Sequence, residues 1–486
     1  MPAPTFMSAT ALAAEIRDGS ISAVELLQHY LDRCDRLNPS INAIVCQVRE
    51  QALQAARDAD AARARGAALG PLHGVPMTIK ESFDLAGTPT TWGYPAWRDN
   101  IAQEDAHAVA RLKAAGAIVF GKTNVPIALA DFQSYNEVYG TTGNPYALDR
   151  TPGGSSGGSA AALAAGLCGL EMGSDIGGSI RNPAHFCGVF GHKPTWNMLS
   201  MRGHSGIHDT RGPGDISVIG PLARSATDLA TVIRQVAGPD RIMSRGYRLD
   251  LPGLSADGVR GLRVAVWSDD PTCPVAAEVQ ARVHRVAAML ADRGAQIDVD
   301  GRPAFDSADS HATFSDLLRA TMATRMPADD YASLQRYVAG LDPADNSARA
   351  TVFRAQVASF RDWAAWNEAR HRLRWQWQSF FEHYELLVTP IMPTTAFVHD
   401  QRPFGQRTIN VDGRSVPYFQ QTFWAGLSGV AYLPSTIVPT GLSEAGLPIG
   451  VQIIGPEYAD LITIGVAGLL EADGCRFAPP ADAAAA

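Results

Sequence analysis

Apolar residues near the N-terminus recur at the spacing of amphipathic helices. Ser22 precedes Glu25 by three positions, as in a capping box, and apolar side chains then recur on one helical face from Leu26 to Cys34. A second helix is predicted over residues 48–65. The pattern therefore predicts N-terminal helices within residues 8–66.

After this region, short apolar runs alternate with helical patterns. The predicted strands are 75–80, 117–121, 167–172, 262–267, 386–389, 435–438 and 449–454, and the predicted helices between the first of them are 107–115 and 159–165. Strands separated by helices of this length are typical of α/β proteins. We therefore expect an α/β fold with a large, mostly parallel mixed β-sheet flanked by helices on both faces.

The middle of the chain has a different pattern, which is long, helical and rich in tryptophan. The pattern over residues 304–384 predicts helices, and we expect their aromatic side chains to take part in helix packing. No Pro, Gly or Ser-rich linker separates independent units. We expect one domain over 1–486, with a catalytic core at about 70–235, a variable helical excursion at about 300–385 and C-terminal core strands at about 386–475.

Composition narrows the classes of function. The 486 residues include 41 Lys and Arg against 49 Asp and Glu, for a formal net charge of -8, and no basic block is present to follow a nucleic acid. No apolar run approaches the roughly 20 residues of a membrane span. The six cysteines are scattered, which predicts free thiols in a reducing cytoplasm and no metal or redox site.

One apparent phosphate-binding motif is rejected on its context. The segment from Gly116 to Thr123 matches two glycines followed by Lys-Thr, but its four intervening residues form an apolar strand. A phosphate loop needs a flexible turn after the strand and a helix that begins at Lys-Thr. We therefore predict no nucleotide site here.

Two glycine-rich stretches that contain serines are the strongest chemical signal. The first, residues 153–159, reads Gly-Gly-Ser-Ser-Gly-Gly-Ser, and the second, residues 173–181, reads Gly-Ser-Asp-Ile-Gly-Gly-Ser-Ile-Arg. Glycines allow backbone N–H groups to converge on one oxygen, as an oxyanion hole requires. The pattern indicates acyl transfer by a serine, whose hydroxyl needs a base to take its proton.

The residues alone leave the base open. His185 and His192 are nearest in sequence to Ser179, but the second is predicted to lie in a turn, and no Gly-x-Ser-x-Gly motif surrounds the serine. Lys80 is predicted to end a strand, and sequence spacing by itself does not bring it to Ser179.

Three blocks resemble the amidase signature family of serine hydrolases. They are Gly74-Val-Pro-Met-Thr-Ile-Lys80-Glu81, the first glycine-rich stretch, and the second stretch continued through Asn182-Pro183-Ala184. Their order and separations match the family's lysine, first serine and second serine. Further similar segments follow at 120–124, 187–195 and 447–455, so that the resemblance covers most of the chain.

The resemblance implies a role for each matched residue. Ser179 would be the acylated nucleophile, Lys80 the base and Ser155 a proton relay, with a cis peptide bond between Gly154 and Ser155. The oxyanion hole would consist of the backbone N–H groups of these residues: Ile176, Gly177, Gly178 and Ser179. No cofactor and no metal is implied.

The implied reaction is hydrolysis of a carbon–nitrogen amide bond, with carbamates and esters as further substrate classes. The alternative is the glutaminase subunit of a tRNA-dependent amidotransferase, although residues 196–200 depart from the usual continuation of that subunit. We expect a small-molecule substrate, no nucleic acid or membrane partner, and leave a homodimer open. Phe132, Gln133 and Tyr135, just before the first glycine stretch, are the candidate substrate-binding residues.

Overall fold

The computed structural model describes residues 4–204, 206 and 211–485. Helices form where the sequence places apolar stripes and caps. Ser22 caps its helix with Glu25 in the predicted capping box. The helices are α1 (Ala9–Asp18), α2 (Ala23–Ile41), α3 (Arg49–Ala64), α4 (His107–Ala114), α5 (Gly157–Ala164), α6 (Arg181–Phe186), α7 (Ala226–Val236), α8 (Ala277–Asp292), α9 (Ser307–Ala323), α10 (Ala328–Ala339), α11 (Ala348–Gln356), α12 (Phe360–Phe381), α13 (Thr422–Val430), α14 (Asp460–Ala472) and α15 (Ala481–Ala485).

Short apolar runs form the strands. They are β1 (Ile44–Gln47), β2 (Pro76–Lys80), β3 (Ile118–Thr123), β4 (Tyr135–Asn136), β5 (Gly140–Thr141), β6 (Glu171–Asp175), β7 (Phe190–Lys193), β8 (Val218–Ala223), β9 (Arg263–Val266), β10 (Gln296–Asp298), β11 (Leu386–Pro390), β12 (Thr408–Val411), β13 (Arg414–Pro417), β14 (Ser435–Leu442) and β15 (Pro448–Ile454). Residues 118–123 form a strand that continues through Lys122, so the rejected phosphate-loop motif has no loop.

The main sheet contains eight strands in the order β10-β9-β11-β15-β14-β7-β8-β6. Every residue of β6, β7, β8, β11 and β15 is buried, because helices cover the sheet. The predicted mixed α/β sheet flanked by helices is therefore confirmed.

The pairing directions differ from the expected mostly parallel arrangement. Only the β10-β9 and β9-β11 pairs are parallel, and the other neighbours in this sheet are antiparallel. The helix-linked strands β6 and β7 do run in the same direction, but β8 lies between them and opposes both. The alternation of strands and helices in sequence does not show such an insertion.

A second, three-stranded sheet carries the strand that ends at Lys80. Its order is β1-β3-β2, with β2 parallel to β3 and β1 antiparallel to β3. The backbone N–H of Thr78 donates to the carbonyl of Leu170, just before β6. This contact brings the end of β2 close to the strand that leads into the second glycine-rich stretch.

Three local predictions are tested by the structure, and two of them are corrected. The strand predicted at 167–172 is β6 and begins at Glu171, because the residues after α5 form a turn that includes Gly166, with φ +64. His192 lies in β7 rather than in a turn. The helical character of the middle segment is confirmed as α9 to α12. The buried ring of Trp377 contacts Phe380 and Phe381 of its own helix, α12, and Phe305 just before α9.

Candidate active site

Lys80 is the last residue of β2 and its side chain is fully buried. Its Nζ lies 2.7 Å from Oγ of Ser155 and 2.9 Å from Oγ of Ser174. Burial lowers the pKa of Lys80 to about 7, although nearby carboxylates, chiefly that of Asp175, act in the opposite direction. A lysine with this pKa is substantially neutral near pH 7 and can therefore accept a proton.

Ser155 lies between two glycines and the start of α5. The peptide bond between Gly154 and Ser155 is cis. A Cβ on Gly154 would lie 2.3 Å from the carbonyl oxygen of Asp131, so only glycine fits at this position. The next residue, Ser156, donates its backbone N–H to the carbonyl of Ser179 at 3.1 Å, which ties the two glycine-rich stretches together.

The second stretch is held by the carboxylate of Asp175, at the end of β6. It accepts from the N–H groups of Gly178 at 2.8 Å and Ile180 at 3.0 Å, and it forms a fully buried ion pair with Arg181 at 2.9 Å. Burial alone would raise the pKa of Asp175, but Arg181 and the N–H of Ile180 hold it at about 2. The loop that presents Ser179 is therefore fixed by a permanently charged carboxylate.

This arrangement changes the set of available backbone donors. The N–H of Gly178 is already bonded to Asp175, so that the predicted donor at Gly178 is engaged within the protein. Among the described residues, nothing accepts from the N–H groups of Ile176, Gly177 or Ser179. These three remain free to bind a substrate oxygen.

Two cavities meet at Ser179. The smaller has a volume of about 230 Å³ and is lined by Ser155, Ser174 and Ser179, together with Trp92, His204 and Arg325. The larger has a volume of about 970 Å³. It is lined by Gly177 and Ser179 and, for the most part, by apolar and aromatic side chains. A carbonyl carbon at Ser179 would therefore have space for a substituent on each side.

The helical excursion and an aromatic segment near the C-terminus supply much of the larger cavity. Leu318 and Arg319 come from α9, Phe353 comes from α11, and Tyr418 and Phe419 precede α13. Both α9 and α11 belong to the middle segment, which matches no family motif in the sequence. This segment therefore shapes the space beside Ser179.

The three predicted substrate-binding residues have different positions. Phe132 lines the larger cavity. Gln133 instead donates to the carbonyl of Asp400 at 2.7 Å, and the hydroxyl of Tyr135 accepts from Arg407 at 2.8 Å. Neither Gln133 nor Tyr135 lines either of the two cavities. Their contacts indicate that they support the cavity wall.

The histidines nearest in sequence to Ser179 are engaged elsewhere. Both ring nitrogens of His185 face backbone groups, at Gly450 and Thr394, and burial lowers its pKa to about 4. The Nε2 of His192 lies 3.0 Å from Asp460. The structure thus gives no support to a Ser-His-Asp arrangement at Ser179.

Sequence reasoning missed two groups at the smaller cavity. Ser174 lies in the second stretch, but its contact with Lys80 depends on the register of β6. His204 lies far from the motifs in sequence, and its Nε2 is 2.9 Å from Oγ of Ser82. The position of Ser82, two residues after Lys80, is the only sequence signal for this contact.

The described part of the chain contains no cluster of three or more His, Cys, Asp or Glu side chains arranged to hold a metal ion. Its cysteines are all free thiols. None of its helices is long and apolar enough to cross a membrane.

The family model named Amidase matches residues 25–463. The chain belongs to this family. The match includes Lys80, Ser155 and Ser179 and extends through the C-terminal strands of the main sheet. As an amidase family member, the protein is an amide-hydrolysing enzyme.

Individual relatives of this amidase agree with the family model. It is 35% identical to indoleacetamide hydrolase of Bradyrhizobium diazoefficiens over 96% of this chain and 86% of the relative. It is 32% identical to the A-subunit of glutamyl-tRNA(Gln) amidotransferase from Moorella thermoacetica, over 96% of both chains. The solved structure of a bacterial aryl acylamidase of the amidase signature family superposes with a TM-score of 0.81 at 25% identity, covering 97% of each chain.

Proposed function

We propose that this amidase cleaves its substrate through an acyl-enzyme on Ser179, with Lys80 as the base and Ser155 as the proton relay. The observation that carries this proposal is the 2.7 Å distance between Nζ of Lys80 and Oγ of Ser155, with both groups buried. Ser155 and Ser179 line the same cavity, where a substrate can reach both.

In the first step, Oγ of Ser179 attacks the carbonyl carbon of the amide. Its proton passes to Oγ of Ser155, whose own proton passes to neutral Lys80. The carbonyl oxygen gains negative charge, which the N–H groups of Ile176, Gly177 and Ser179 stabilise. Because the pKa of Lys80 is about 7, about half of the lysine is neutral at pH 7 and ready to accept this proton.

In the second step, protonated Lys80 returns its proton through Ser155 to the amine nitrogen. The carbon–nitrogen bond then breaks, the amine leaves and the acyl group stays on Ser179. A water molecule then attacks the ester carbonyl and gives a proton to the same relay, which returns a proton to Oγ of Ser179 as the ester bond breaks and the acid is released. Amides depend on the second transfer because an unprotonated amine is a poor leaving group.

The substrate is a small-molecule amide, and the same oxyanion site accommodates carbamates and esters. The test is a panel of anilides, peptide amides, fatty amides, carbamates and esters assayed with the wild-type enzyme and Ser179→Ala. We expect hydrolysis that the substitution abolishes. A control variant, Ser333→Ala on the exposed face of α10, should retain full activity. Unchanged hydrolysis by Ser179→Ala would overturn the proposal.

The second candidate is the glutaminase subunit of a tRNA-dependent amidotransferase. The relative from Moorella thermoacetica, which matches along nearly its whole length, favours it. The departure from that subunit's usual sequence at residues 196–200 favours the independent hydrolase. Release of ammonia from glutamine only after addition of the partner subunits would support the glutaminase.

A further inference from the structure

Arg319, on α9, has an unusual environment in the wall of the larger cavity. Its guanidinium lies over the ring of Phe419, 5.0 Å from the ring centroid. Its Nε is shielded from solvent and has no hydrogen-bond partner. No described residue forms an ion pair or a side-chain hydrogen bond with it. A half-buried guanidinium has thus lost hydration without gaining an acceptor from the protein.

Arg407, which lines the same cavity, differs from Arg319 because other residues of the protein accept its hydrogen bonds. Its Nη1 pairs with Asp131 at 2.6 Å and its Nη2 donates to Tyr135 at 2.8 Å. Asp131 is the only acidic residue among the described residues that line the larger cavity, and this pair uses it. Arg319 therefore leaves the cavity with uncompensated positive charge.

The remaining basic residue in this wall is in a different position. Arg349 is exposed, and its guanidinium lies over the rings of Tyr337 and Phe353, 5.4 Å from each ring centroid. Burial lowers the pKa of Arg319, yet arginine stays charged at any physiological pH. The charge of Arg319 thus faces an interior space that a substrate must occupy.

The rest of the cavity is suited to a flat apolar group. The rings of Phe132, Phe353 and Phe419 line it, and its volume of about 970 Å³ holds an aromatic group. Gly177 and Ser179 line the same space. A substrate group in this cavity therefore lies next to the reacting amide.

We propose that the larger of the two groups flanking the scissile amide is aromatic and carries a carboxylate, which Arg319 binds. The edge of the planar guanidinium offers parallel N–H donors that match a carboxylate, while the ring of Phe419 packs against one face of the guanidinium. The inference rests on the proposed hydrolysis at Ser179 and names the substrate class of that site.

The test uses two series of matched aromatic amides, anilides and benzylamides. In one series the substituted ring is on the acyl side of the amide, and in the other it is on the amine side. In each series the ring carries a carboxylate, a primary carboxamide or hydrogen. In the series whose substituted ring enters the larger cavity, the wild-type enzyme should have its highest kcat/KM for the carboxylate substrate. Arg319→Gln should lower kcat/KM for that substrate about 10- to 100-fold, mainly through KM, and change the two neutral substrates less than about threefold. Arg319→Lys should restore part of the preference.

The control is Arg336→Gln, which removes a positive charge from the exposed face of α10 and should leave all six substrates unchanged. Equal losses on all substrates in Arg319→Gln would mean that Arg319 only packs against Phe419, and would overturn the inference. So would a wild-type enzyme that shows no preference for the carboxylate in either series.

Failure of the proposed function is distinguishable from failure of the inference. If the enzyme turns over no substrate, the proposed chemistry at Ser179 fails. The binding of an aromatic carboxylate then still tests the role of Arg319. Terephthalate, measured by titration calorimetry, should bind the wild-type protein at least about 10-fold more tightly than Arg319→Gln. Equal affinity for the two proteins would overturn the inference without reference to catalysis.

Discussion

The Nζ atom of Lys80 lies 2.7 Å from Oγ of Ser155, and both side chains are buried. This contact joins the end of β2 to the start of α5, two elements that belong to different parts of the sequence. It places a lysine whose pKa is about 7 against a hydroxyl that shares a cavity with Ser179. The proposed catalysis depends on this relationship.

The pH dependence of turnover follows from the lowered pKa of Lys80. Burial disfavours the charged form, so Lys80 is protonated below about pH 7 and cannot accept the proton of Ser155. We expect kcat/KM for an amide to rise about tenfold per pH unit up to about 7 and then to level off. A profile that rises only near the ordinary lysine pKa of about 10.4 would contradict this assignment.

Removing the lysine should affect amides more than esters. In Lys80→Ala, an amine leaving group loses its proton donor, whereas an alkoxide or phenoxide leaving group needs less protonation. We expect amide hydrolysis to fall about 10²- to 10⁴-fold and hydrolysis of a matched ester to fall less. The measurement is kcat/KM on an anilide and an aryl ester of the same acid. Equal losses would argue against a proton relay through Ser155.

The buried ion pair between Asp175 and Arg181 should be essential for stability. Asp175→Asn leaves Arg181 buried without a counter-charge, and we expect the free energy of unfolding in urea to fall by about 3–5 kcal/mol. The matched control is Glu368→Gln, which breaks an exposed pair with Arg372 at 3.9 Å and should cost less than about 1 kcal/mol. A similar, small loss in both variants would contradict the role given to Asp175.

Adjacent glycines in the Ser179 loop should respond differently to alanine. Gly178 has φ +110, and an added Cβ would lie 3.1 Å from Cβ of Ala425. An added Cβ on Gly177 would meet only Leu318, at 3.7 Å, which is an ordinary contact. We expect Gly178→Ala to lose about 1–2 kcal/mol of stability from its backbone conformation and to have a lower Tm than Gly177→Ala. The reverse order would contradict the loop geometry.

Much of the site could be predicted from sequence because its chemistry is concentrated in short motifs. The sequence resemblance assigned Lys80, Ser155 and Ser179, and the structure brings Lys80 and Ser155 into contact. The contact between Lys80 and Ser174 could not be predicted, because it depends on where β6 begins. The motif also does not show that Asp175 engages the N–H of Gly178.

The helices and strands of the fold could be predicted from the sequence, but the pairing of the strands could not. Apolar periodicity gave the helices of the middle segment and most strands of the main sheet. β8 pairs antiparallel with both β6 and β7, which are linked by α6, and β14 and β15 form three further antiparallel pairs. Such pairing is decided by packing between distant segments rather than by local pattern. For the same reason, the sequence did not place Arg319 beside Phe419.

The most direct test of the proposed catalysis is to identify the atom that is acylated. The wild-type enzyme is treated with a fluorophosphonate, digested and mapped by mass spectrometry, with Ser155→Ala and Ser179→Ala treated in parallel. We predict one adduct, on Ser179, that forms more slowly in Ser155→Ala and is absent from Ser179→Ala. An adduct on Ser155, or amide hydrolysis that persists undiminished in Ser179→Ala, would contradict the role of Ser179 as the nucleophile.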